Sequence, residues 1–134
     1  MRACLDSWAL LAWLDGEEPA ATIVQDALKS HPRPLVSWIN AAEVHYRVAR
    51  DHGGQEADRA IAELESVVDL EGVSREHALA AARLKAARPI ALGDCFCIAL
   101  AEANGATILT GDPEIIDAVG LRVGVRDLRA LGTS

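Results

Sequence analysis

Aromatic side chains are scarce in this chain, at 4% of 134 residues, and methionine occurs once. Any core must therefore be built from Ala, Leu, Val and Ile, which dominate a hydrophobic content of 51%. With charged residues at an ordinary 25%, that content excludes a disordered chain. Long apolar runs are missing too: none approaches the ~18 residues a membrane-spanning helix needs. The start, Met1-Arg2-Ala3-Cys4-Leu5-Asp6, meets an acid too early for a signal peptide. Cytoplasm is the expected location, with no membrane partner. Cysteine is limited to three residues, an odd number that argues against a disulfide framework. Cys95 and Cys97 are two apart on one predicted helix, and at ~100° per residue they point in different directions. They suit a core better than a shared metal, and Cys4 falls in the first predicted strand.

Positive charge is short as well. Lys and Arg total 13 against 20 Asp and Glu, for a net charge of −7. This excludes a protein that grips nucleic acid through a broad cationic surface. It leaves open an enzyme that reaches phosphates through a divalent metal, because clustered carboxylates attract such an ion. Other chemistries lack their parts. There is no G-x-x-x-x-G-K-[ST] phosphate loop, and Ser7 and Ser37 have no recognisable partner base. No second aspartate follows two residues after Asp6, as an aspartyl-phosphate phosphatase would require. His31, His45, His52 and His77 show no metal-ligand spacing and are expected at the surface. Arg83, Lys85 and Arg88 read either as phosphate contacts or as a solvated helix face.

What is present centres on Leu92-Gly93-Asp94-Cys95-Phe96-Cys97-Ile98-Ala99-Leu100-Ala101-Glu102-Ala103. From Phe96 to Ala103 only Glu102 is polar, so this helix is apolar on nearly every side and belongs inside a domain. Around it, short apolar runs alternate with amphipathic helices. Strands are expected at Arg2–Leu5, Leu35–Ser37, Val67–Leu70, Ala106–Thr110 and Leu121–Val125. Helices are expected over 7–14, from Glu17 to about Ser30, over 38–52, from Gln55 to about Val67, from Ser74 to Ala87, and from Asp112 to near Gly120. No repeat, low-complexity tract or linker divides the chain, so residues 1–134 read as one domain. The alternation predicts an α/β fold with a mainly parallel sheet and helices on both faces.

In such sheets ligands bind at the carboxyl ends of the strands. Asp6 follows the first strand and Asp112 follows the strand ending at Thr110. Asp94 opens the apolar helix, and Glu43 lies early in the helix after Ser37, at the edge of its apolar stripe. Gathered at one edge, these acids would repel one another. A hard divalent cation, Mg²⁺ or Mn²⁺, would offset that repulsion. Each acid also has an ordinary reading. Asp6, Asp94 and Asp112 suit helix N-caps, and Glu43 with Arg47 has the spacing of a helix-surface ion pair.

Four fragments carry a resemblance to a known family: Cys4-Leu5-Asp6-Ser7, Asn40-Ala41-Ala42-Glu43-Val44, Leu92-Gly93-Asp94-Cys95-Phe96-Cys97-Ile98-Ala99-Leu100-Ala101, and Leu109-Thr110-Gly111-Asp112-Pro113. In this order over most of the chain, they resemble a PIN-domain protein, specifically the VapC-type ribonuclease toxin of a bacterial toxin–antitoxin pair. The resemblance implies a PIN-like three-layer α/β/α sandwich and a Mg²⁺- or Mn²⁺-dependent endoribonuclease that hydrolyses RNA phosphodiesters. It also implies a homodimer and a cognate antitoxin whose tail covers the site. Carried residue by residue, Asp6, Glu43, Asp94 and Asp112 match the family's acidic quartet, with Asp6 and Asp94 the principal metal ligands. Glu43 and Asp112 would complete the shell, directly or through water, and help orient the nucleophile. Asn40 and Thr110 would support it by hydrogen bonds. Asp117 is set against the extra acid some members carry, with a helix-surface role as its other reading. Two alternatives stand beside the toxin: a PIN nuclease acting on DNA or in RNA processing without an antitoxin, and a non-catalytic partner-binding module that keeps the pocket as a cation site.

Overall fold

The strands are short, and each alternates sides. A computed structural model of the protein describes residues 2–129. It contains β1 (Ala3–Leu5), α1 (Ser7–Asp15), α2 (Ala20–Leu28), β2 (Leu35–Ser37), α3 (Trp38–His52), α4 (Gly54–Val67), β3 (Asp69–Glu71), α5 (Arg75–Ala87), α6 (Leu92–Asn104), β4 (Thr107–Thr110), α7 (Pro113–Ile116) and β5 (Val125–Asp127). The five strands form one sheet in the order β3-β2-β1-β4-β5, and every pairing is parallel. Successive side chains on a strand point to opposite faces, so the sheet separates two cores. Cys4, Leu35 and Ile108 face α5, α6 and α7 in one. Leu5, Val36 and Leu109 face α1 to α4 in the other. The result is the expected three-layer α/β/α sandwich.

α6 is the centre of the first core. Every residue from Asp94 to Ala101 is buried, as a helix apolar on all sides must be. Gly105, at φ 60°, ends it in the left-handed conformation that a side chain would disfavour. Cys4, Cys95 and Cys97 are all free and buried. As the helix geometry required, the two helical cysteines diverge: Cys97 meets Cys4 with sulfurs 3.9 Å apart, while Cys95 faces the Ile90 carbonyl.

Three expectations need correction. The last strand is Val125–Asp127, not Leu121–Val125. The apolar alternation of Leu121, Val123 and Val125 comes from side chains packed on the first core, whereas ladder pairing with β4 begins only at Ile108↔Val125. The helix after Asp112 stops at Ile116 rather than near Gly120. His77 is not a free surface group: it is half-buried, its Nε2 lies 2.9 Å from the Phe96 carbonyl, and its ring meets Phe96 edge-on. Among the described residues no helix is long and apolar enough to cross a membrane.

One packing contact lies directly before Asp112. Gly111 is buried beneath the indole of Trp8, and a Cβ there would overlap ring atoms Cη2, Cζ2 and Cε2. Gly111→Ala should therefore destabilise the fold by about 1–3 kcal/mol, the range for overpacking. The check is a urea titration, in which the midpoint falls at unchanged slope. An unchanged midpoint would show that Trp8 yields freely.

Candidate metal centre

The strand order reverses beside β1: β2 and β3 lie on one side of it, β4 and β5 on the other. That reversal leaves a crevice at the carboxyl ends of β1 and β4, the place where open parallel sheets bind ligands. Leu5 pairs with Leu109, so the next residues along, Asp6 and Thr110, enter the crevice side by side. Asp112 follows on the same loop. Asp94 arrives from the opposite layer, in the first turn of α6. One carboxylate oxygen from each of Asp6, Asp94 and Asp112 lies within 4.8 Å of the other two.

Each acid is held by its own local structure. Asp6 caps α1, accepting from the Ala9 N–H at 2.9 Å through Oδ1. Its Oδ2 accepts from the Thr110 hydroxyl, and that same Oγ1 accepts from the Asp112 N–H at 2.9 Å. Thr110 thus links two of the three acids. Asp112 caps α7 through Oδ1, which accepts from the Glu114 N–H at 2.9 Å. The capping roles of Asp6 and Asp112 are therefore real, and the cluster is assembled in addition to them. Asp94 is no cap, because Ala91 occupies that position.

Glu43 stands outside the set of three, on the neighbouring side of α6. Its carboxylate rests against Gly93: a Cβ at Gly93 would lie 2.5 and 2.6 Å from the two Glu43 oxygens. Fully buried Asn40 fixes it there, donating to Glu43 Oε1 at 2.9 Å and to the Gly93 carbonyl at 3.0 Å. Arg47, the alternative partner read for Glu43, forms no ion pair with it. It is exposed and lies by Asp15, Glu17 and Asp112 instead. Asp117 is the C-cap of α7, exposed and apart from the three acids.

Glu114 is the residue that sequence reasoning missed. Its Oε2 accepts from the Ala91 N–H at 2.9 Å, tying α7 to the start of α6, and its side chain adds to the rise in the Asp94 pKa. Its position two residues after Asp112, across the helix-opening Pro113, was the only available signal.

The electrostatics follow from burial without counter-charge. Asp6 is fully buried and its pKa is pushed from 3.8 to about 7, chiefly by desolvation. The hydrogen bonds from Thr110 and the Ala9 N–H work against that rise, and the charge of Asp112 adds to it. Asp94 rises from 3.8 to about 9, again mainly by desolvation, then through its hydrogen bond to Asp112 and the charges of Asp112 and Asp6. Among the described residues no lysine or arginine pairs with any of the three. The donor set suits a hard divalent cation: it is all oxygen, anionic and uncompensated. The three oxygens, all within 4.8 Å of one another, are close enough for one such ion to draw them into its shell by small side-chain movements.

Fold and site together define a class: a doubly wound, fully parallel α/β domain with a carboxylate cluster at its switch point. The chain belongs to the PIN domain family, whose model matches residues 3–121. Among solved structures it is similar to VapBC2 from Rickettsia felis bound to a promoter DNA fragment, with a TM-score of 0.74 at 15% identity, covering 95% of this chain and 98% of that one. It is similar also to a toxin–antitoxin complex from Klebsiella pneumoniae, with a TM-score of 0.74 at 19% identity, covering 96% and 99%. A third is VapC20 from Mycobacterium tuberculosis, described as a sarcin–ricin-loop-cleaving toxin, with a TM-score of 0.71 at 19% identity, covering 91% and 98%. At such identities the likeness is one of fold. No curated protein matches the sequence significantly.

Proposed function

We propose that the protein is a Mg²⁺- or Mn²⁺-dependent endoribonuclease, the toxin of a type II toxin–antitoxin pair, working in the cytoplasm as a single-domain subunit of a homodimer. The observation that carries this reading is the set of three acids, drawn from three separate elements to one crevice, with no ion pair to a lysine or arginine among the described residues. Membership of the PIN domain family and the fold shared with VapC proteins support it. Asp6, Asp94 and Asp112 hold the ion; Thr110 and the first turn of α1 fix the orientation of Asp6. When bound, the ion polarises the phosphodiester and lowers the pKa of an attacking water. Glu43, held by Asn40 beside Gly93, would orient the attacking water. The burial that raises the pKa of Asp6 and Asp94 also excludes bulk water, which strengthens each charge interaction with the phosphate.

Purified protein should cleave single-stranded RNA in Mg²⁺ or Mn²⁺, and chelation should remove that activity by about a thousandfold, since a metal contributes several kcal/mol to such a transition state. Growth arrest on expression, relieved by the product of a neighbouring small open reading frame, tests the toxin assignment separately. Metal binding without cleavage of any RNA would leave a cation-holding interaction module instead.

A further inference from the structure

A cavity of about 390 Å³ opens directly beside the acidic crevice, on the outer side of Glu114. Its wall is apolar where Pro89, Pro113 and Val119 line it, and polar where Arg88, Glu114 and Asp117 do. Glu114 belongs to both places, since its N–H donates to Asp112 Oδ1 at 2.9 Å while it lines this cavity.

Arg88 is not part of a solvated helix face. It lies one residue past α5, half-buried, with Nη1 donating to the Val119 carbonyl and Nη2 facing the backbone of Gly120. Its Nε is buried and has no hydrogen-bond partner, and neither Glu114 nor Asp117 forms an ion pair with it. The guanidinium plane is thus held in place by a backbone contact rather than neutralised by an acid.

We infer that this cavity binds a nucleobase of the RNA strand adjacent to the scissile phosphate, with Arg88 as the residue that positions it. The inference rests on the nuclease reading above and adds a substrate subsite to it. One arginine against two carboxylates gives the cavity a negative balance, which disfavours a phosphate. A neutral, planar, partly apolar ring with edge donors and acceptors suits it better. Arginine planes and apolar walls are what unstacked bases of single-stranded RNA pack against. The hollow on the other side of Asp112 is less suitable, because Asp15, Glu17 and Asp112 surround its one arginine, Arg47.

The test uses the full chain and two readouts. In the first, nucleoside monophosphates and ribose 5-phosphate are titrated while the amide signals of Ala118, Val119 and Ala91 are followed by NMR. The nucleotides should shift these signals and ribose 5-phosphate should not. Arg88→Gln should weaken nucleotide binding about tenfold, the scale of one stacked base. Val119→Asp should weaken it as well; Val119 is 77% exposed and its carbonyl still receives Arg88, so this variant should keep the fold. In the second, cleavage of a randomised oligoribonucleotide pool should show a base preference next to the cut that Arg88→Gln loses, mainly through KM. A preference unchanged in both folded variants overturns the subsite while sparing the nuclease. Equal shifts with ribose 5-phosphate also overturn it. Base-dependent shifts in a protein that cuts no RNA support nucleobase binding by the cavity, but overturn the nuclease reading and with it the placement beside a scissile phosphate.

Discussion

Asp94→Asn should abolish metal-dependent RNA cleavage, by about a thousandfold or more, and yet make the metal-free protein more stable at about pH 8. The two effects share a cause. In the folded chain the Asp94 carboxyl titrates at about 9 and that of Asp6 at about 7, both from 3.8. Between those values the folded state holds more protons than the unfolded state, so stability falls as pH rises. The loss starts near pH 4 and continues through about 7 for Asp6 and about 9 for Asp94. Asparagine at 94 carries no charge to desolvate and still offers Asp112 a donor. Divalent metal should raise the Tm of the wild type, on the order of 10 °C at saturating concentration, and that shift should vanish in the variant. Thermal melts at several pH values, with metal and with chelator, provide the measurement. A variant that melts lower than wild type without metal and retains its metal-induced shift would falsify the site.

Gly93→Ala carries the second large effect, and again separates activity from stability. The new methyl would take the space now filled by the Glu43 carboxylate. That group ends a flexible side chain, so it can swing away without disturbing the backbone. Gly93 lies in the first turn of α6, where alanine is the better helix former by about 0.5–1 kcal/mol. Stability should therefore hold or rise. Activity should drop about 10–100-fold, the range seen when a group supporting a metal site is displaced, because Glu43 also loses its hydrogen bond from Asn40. Steady-state cleavage alongside a melt checks both. Full activity would mean that Glu43 has no part in the reaction.

Asp6 also shows why a raised pKa and a structural role coexist in one residue. Asp6 and Asp112 each spend one oxygen on a helix N-terminus, which fixes their direction. A freely rotating acid would turn towards solvent and reduce the repulsion. Pinned as they are, the acids keep a proton on Asp94 up to about pH 9 unless a cation takes its place.

Much of this was legible in the sequence alone. α6 announced its burial through an unbroken apolar surface, and the alternation of short apolar runs with amphipathic stretches pointed to a parallel sheet between two helical layers. Asp6, Asp94 and Asp112 stood out because each follows a strand or opens a helix. These are local properties, determined by composition and period along the chain. Only the tertiary structure decided the strand order that creates the crevice, the convergence of Asp6, Asp94 and Asp112 within 4.8 Å, the shelter Gly93 gives Glu43, and the link from Glu114 to Ala91. It also separated the packing residues Leu121 and Val123 from the true last strand. Those features depend on distances between residues far apart in the chain, and alternation records which side chains are apolar without recording what they meet.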